Sequence, residues 1–166
     1  MTIRNALAIF LGAALALLVA ACASLSVRHL ERVPWIITQE DQTVSTRVWS
    51  FTFHTQGQNG FYLVAGEARP IPEAIPAWAR WIKELSLEAY LCDSRGDVLA
   101  VSQMHVPQKE FSRDQAVPFE FLLNPGHVHE STQIHVAFGY TMKLVKSPDH
   151  IAAADTFLAS ETALSR

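Results

Sequence analysis

His127-Val128-His129 is the one spacing in this chain that suits a metal ion. Residues two apart in an extended segment project to the same side, so the two imidazoles would share one point in space. His135 or His105 would have to supply a third ligand. Two histidines following the Asn124-Pro125-Gly126 turn suit a solvated loop equally well, so no metal and no other cofactor is assigned, and His127 and His129 stand as the only candidates. Such histidines also gain charge near pH 6 and would make a contact pH-sensitive. Nucleophilic chemistry is less well supported. There is no Gly-x-Ser-x-Gly elbow and no Gly-rich phosphate loop. Nothing in the sequence sets an imidazole beside Cys92. The carboxylates Glu67, Glu73, Glu84, Glu88, Asp93 and Asp97 are spread singly, and the last two flank a hairpin turn where acids serve backbone geometry. No catalytic residue is assigned, and the chain reads as a non-enzyme.

Trp78, Arg80 and Trp81 are a different kind of candidate. Aromatics and arginine are the types enriched at the centres of protein interfaces. The prolines at 70, 72 and 76 would present them on a stiff loop. Trp78, Trp81, Ile82 and Leu85 also fall at i, i+3, i+4 and i+7, which predicts one face of a short helix. That face either caps one end of the domain or offers a surface to a partner.

The elements that must position these residues are mostly strands. Trp35-Ile36-Ile37 is a candidate edge strand after Pro34. In the strand from Val44 to His54, Trp49, Phe51 and Phe53 alternate with Ser50, Thr52 and His54. The turn Gln56 to Gly60 leads into Phe61 to Ala65, apolar on both faces and therefore central. Leu85, Leu87, Ala89 and Leu91 alternate with polar residues up to Cys92. Asp93 to Asp97 is a hairpin loop with Gly96 at positive φ, and Val98 to His105 returns. Val117, Phe119, Phe121 and Leu123 mark a further strand. Ile134, Val136, Phe138, Tyr140, Met142 and Leu144 mark the last. Six to seven strands without crossover helices favour antiparallel pairing. They predict an all-β sandwich resembling immunoglobulin or transthyretin-like domains, with a small barrel as the alternative. The sandwich spans 34–146. Residues 22–33 read as a tether. Residues 147–166, rich in alanine from Ile151 to Ala163, read as a frayed helix or disordered tail.

The N-terminus carries an address. Arg4 precedes an uncharged apolar run from Ala6 to Ala23, which ends in Val19-Ala20-Ala21-Cys22. These four residues resemble the lipobox of bacterial lipoproteins. The resemblance covers only the first two dozen residues. It implies cleavage before Cys22, removing 1–21, and diacylglycerol on the Cys22 thiol with acylation of its new amine. Ala23 and Ser24, where an inner-membrane lipoprotein carries Asp after the cysteine, imply an outer-membrane destination facing the periplasm. The alternative is an uncleaved membrane helix, although the 18 residues from Ala6 to Ala23 fall short of the ~20 a span needs.

Of 166 residues, 145 would remain after cleavage, the size of one domain with a real core. Without Arg4, 12 Lys and Arg face 16 Asp and Glu, a formal charge of −4. The basic residues are scattered and make no nucleic-acid stripe. With Cys22 lipidated, Cys92 has no disulfide partner, and burial is the expected fate of a lone thiol. The expectation for function is a non-catalytic interaction or assembly subunit of an envelope complex. Its partners would be the membrane, through the N-terminal lipid, and an envelope protein. A periplasmic carrier of a small ligand or metal, using His127 and His129, is the alternative.

Overall fold

A computed structural model describes residues 24–58, 60–126, 132–149 and 152–166. Its elements are β1 (Leu25–Ser26), β2 (Arg32–Pro34), β3 (Thr38–Ser45), β4 (Trp49–Gln58), β5 (Phe61–Pro70), β6 (Trp81–Cys92), β7 (Val98–His105), β8 (Lys109–Glu110), β9 (Val117–Leu123), β10 (His135–Val145), β11 (Thr156–Glu161) and β12 (Leu164–Ser165). All the pairings are antiparallel. One sheet runs β3-β4-β5-β9. The other runs β11-β10-β6-β7, with β2 added to β10 and β8 to β6, while β1 and β12 form a two-stranded ribbon.

The chain is an all-β sandwich because alternation on both main sheets points large apolar side chains at each other. Phe51 and Phe53 of β4 and Phe119 and Phe121 of β9 face Phe138 and Tyr140 of β10, all of them buried. Phe138 stacks on Phe51 at 4.5 Å with an interplanar angle of 6°, and meets Phe53 edge-on at 4.9 Å. β5 is central, as its two apolar faces predict, between β4 and β9. The Asp93–Asp97 hairpin turns as expected, with Gly96 at φ 82°.

Five expectations are corrected. The predicted strand from Val44 to His54 is two strands. Thr46 folds the chain back between them, its backbone N–H donating to the Trp49 carbonyl at 2.8 Å and its hydroxyl accepting from the Trp49 N–H at 3.0 Å. Trp35 to Ile37 is not a strand, and the pairing runs through Arg32–Pro34 instead.

The helix over Trp78 to Leu85 is absent. Pro72–Ala74 forms a single 3₁₀ turn, and strand β6 begins at Trp81. The helical spacing has a β explanation: the register with β10 passes from Lys143 opposite Glu84 to Leu144 opposite Ile82, so Lys83 is an extra residue in a bulge. A bulge shifts the parity of the alternation, and Ile82 and Leu85, three apart, both become buried.

The described segments at either end are built into the sandwich. Val27 and Leu30, expected in a tether, are buried beside Tyr90, Cys92 and Ala137 on the outer side of the six-stranded sheet. The expected Ala-rich tail helix is β11, paired with β10 from Tyr140 to Val145, with Phe157 and Ala159 against the core. With these, the β3/β4 split and the short β8, the described strands number twelve, against six to seven expected, and the domain extends beyond 34–146 in both directions. No helix among the described residues is long and apolar enough to cross a membrane.

Candidate functional site

A groove of about 620 Å³ opens at the end of the sandwich where β2 gives way to the segment leading into β3. Trp35, Ile37, Phe61, Tyr62, Ile134 and His135 are among its lining residues. The wall is held by specific contacts. The Trp35 backbone N–H donates to the Ile134 carbonyl at 2.8 Å, and the indole meets the Tyr62 ring edge-on at 4.8 Å. Ile37 lies over Gly57, where an added Cβ would come within 3.3 Å of its Cδ1. Thr55, buried on β4, donates its hydroxyl to the Ile36 carbonyl. Ile36 is 54 % exposed, Ile37 69 % and Phe61 42 %. Single exposed apolar residues are ordinary, but Ile37 and Phe61 both line the same concave mouth beside Trp35 and Tyr62, the usual mark of a binding surface.

This groove was not foreseen from the sequence. The one signal was Trp35-Ile36-Ile37, three large apolar residues together, which the alternation argument assigned to a strand.

The expected site residues are placed as follows. Cys22, with all of residues 1–23, lies outside the described residues, as do His127 and His129 in 127–131. His135 and His105, the alternative third ligands, lie far apart. His135 faces Cys92 across the β6–β10 pair and His105 faces Ser86, six residues along β6, a separation of about 20 Å at ~3.3 Å per residue. Among the described residues no three His, Cys, Asp or Glu side chains are grouped to hold a metal. Trp78 is half-buried against the core. Trp81 is half-buried at the start of β6, and Arg80 is exposed. The Arg80 guanidinium donates to the carbonyls of Ala77 and Ala79, at 2.9 and 3.2 Å. The two indoles therefore sit in the sheet margin and not on a helical face.

Cys92 is a buried free thiol donating to the His135 carbonyl at 3.7 Å. Burial pushes it up to about 11, against a smaller downward pull from Arg32, so it is protonated at neutral pH and a poor nucleophile. Tyr90 is raised further, by burial and by its hydrogen bond to Glu88. The same hydroxyl accepts from the Ala163 N–H at 3.1 Å.

The Asp93–Asp97 hairpin is a clasp. Asp93 accepts from the backbone N–H groups of Arg95 and Asp97, both at 2.9 Å, and from the Arg95 guanidinium at 3.1 Å. Asp97 sits 2.7 Å from Arg166 and 3.5 Å from Arg95. Burial alone would raise the Asp93 carboxyl, but the hydrogen bonds from Asp97 and Arg95 outweigh it and hold the group below its usual value. Asp93→Ala is expected to cost about 1–2 kcal/mol at neutral pH through the unpaired amides. The folded state keeps this carboxylate charged to lower pH than the unfolded chain, where Asp titrates near ~3.9. The stabilisation is therefore complete above that value and is lost as pH falls below it. Urea midpoints of wild type and variant should differ at pH 7 and converge in acid. A difference that persists unchanged in acid would contradict this role.

No protein family, curated protein or solved structure matches the chain.

Proposed function

We propose that this chain is a bacterial outer-membrane lipoprotein whose sandwich acts as a non-catalytic interaction or assembly subunit of an envelope complex. An apolar segment of the partner protein is seated in the groove beside Trp35 and Tyr62. The observation that carries this reading is the exposure of Ile37 and Phe61 in one open concave site walled by Trp35 and Tyr62. The anchor half rests on the likeness of Val19 to Cys22 to a lipobox. Buried aromatic anchors with apolar neighbours supply most of the binding energy in protein contacts.

A photo-crosslinking side chain placed at Ile37 or Phe61 tests the reading in cells. Discrete adducts at both positions, absent from the same probe at Glu67, six residues along β5 from Phe61 and outside the groove, are expected. Adducts confined to Trp78, Arg80 and Trp81 would move the partner site to the opposite end of the sandwich and contradict it.

The size of the groove favours one second reading. About 620 Å³ lies within the range of small-ligand sites, so a periplasmic carrier is the alternative. Native mass spectrometry of protein taken gently from membranes separates the two, because a carrier arrives with a discrete bound mass.

A further inference from the structure

We propose that the outer face of the six-stranded sheet, on the side where β1 and β12 lie, rests against the phospholipid surface that holds Cys22. This rests on the lipid-anchor reading and adds to it which side of the domain meets the membrane.

Little free chain separates the lipid from the fold. From Ser24 onward the backbone is fixed. The Ser24 carbonyl accepts from the Arg166 N–H at 3.1 Å, Leu25 pairs with Ser165, and Ser26 bridges to Asp97. Val27 is fully buried, and its N–H donates to the Gly96 carbonyl at 2.8 Å. Cys22 is two residues upstream of Ser24, and two residues span at most ~7 Å. The four-stranded sheet is stacked ~10 Å behind the six-stranded one, so its outer face lies beyond the reach of a lipid on Cys22. A lipoprotein with a long linker samples every orientation. This one would be held at the face where its chain begins.

That face also exposes apolar side chains. Leu87, Ala89 and Leu91 of β6 point into the main core, so Glu88 and Tyr90 point outward. Val101 is opposite Tyr90 and Leu158 is opposite Lys143, so both lie on the outward side. Leu25 and Val101 line one shallow groove together with Tyr90 and Ala163. Leu25, Val101, Leu158 and Leu164 are 38, 49, 70 and 58 % exposed. Dispersed leucines around a polar sheet suit the boundary between headgroups and acyl chains. At the clasp, the guanidiniums of Arg28, Arg95 and Arg166 surround the carboxylates of Asp93 and Asp97. The Arg28 and Arg95 side chains stay 54 % and 73 % exposed, within reach of anionic headgroups.

The test uses the full lipoprotein reconstituted in vesicles of phosphatidylethanolamine and phosphatidylglycerol. Nitroxide labels are placed on single cysteines at Leu158→Cys, Leu164→Cys and, as the opposite-face control, Leu122→Cys. All three leucines are exposed, so folding is preserved, and native Cys92 is buried. Collision with a water-soluble nickel chelate is measured, and the mass of the same samples reports the acyl chains. The labels at 158 and 164 should lose accessibility several-fold on reconstitution, while that at 122 is unchanged. An acylated protein with all three labels equally open, or with 122 shielded instead, overturns the orientation and leaves the anchor standing. A mass without acyl chains overturns the anchor and the orientation with it.

Discussion

Phe138→Ala is expected to remove about 3–5 kcal/mol of stability, the range for deleting a buried phenylalanine ring. Phe138 is fully buried on β10 and is the ring through which the two sheets grip each other. It stacks on Phe51, meets Phe53 edge-on and lies 5.5 Å from Phe119, so contacts from two strands of the facing sheet end on one side chain. Each such aromatic pair adds roughly 0.5–1.5 kcal/mol beyond area burial. A methyl group leaves a cavity ringed by three stiff phenyl groups that cannot all move inward. Since a domain of this size has about 5–15 kcal/mol in total, the variant should unfold at much lower urea than wild type. Leu122→Ala, on the exposed side of β9, should stay within about 0.5 kcal/mol. A loss below about 1 kcal/mol at Phe138 would mean that the sheets do not meet there.

Gly66→Ala is expected to cost about 1–3 kcal/mol, although only one methyl is added. Gly66 lies opposite Phe53 in the β4–β5 pair and opposite Phe119 in the β5–β9 pair. A Cβ at this position would sit 2.1 Å from the Thr52 carbonyl oxygen and 2.7 Å from the Phe53 Cα. Both are backbone atoms, so relief requires a strand to shift, and Phe53 is part of the aromatic cluster. The gain from a stiffer unfolded chain, about 0.4–1 kcal/mol, is smaller than this clash. Thermal unfolding followed by circular dichroism would report a melting point lowered by several degrees. An unchanged or raised melting point would contradict the close approach of β4 and β5.

Strands whose alternation was long and unbroken were legible in the sequence. Phe119, Phe121 and Leu123, and Val136, Phe138, Tyr140, Met142 and Leu144, face inward as their period predicts. The Asp93–Asp97 hairpin was legible because Gly96 permits a turn that other residues resist. What could not be read depended on distant partners. The bulge at Lys83 turned a strand start into an apparent helical face, because parity is lost wherever one residue is unpaired. β11 carries only Phe157 and Ala159 as inward residues, too few for a pattern. Its strand form comes from the open edge of β10, which local propensity does not encode. Val27 and Leu30 were unreadable for the same reason, being buried by Tyr90, Cys92 and Ala137 from elsewhere in the chain. The groove is assembled from four separate stretches, so no single spacing announces it.

Whole-protein mass spectrometry of the membrane fraction, beside a Cys22→Ala variant, tests the central claim most directly. The lipoprotein account predicts a mature chain beginning at Cys22 and carrying about three acyl chains. It also predicts that the variant loses both the cleavage and the lipid and leaves the outer-membrane fraction. A mature protein with an intact N-terminus, or one cut without lipid, would contradict it.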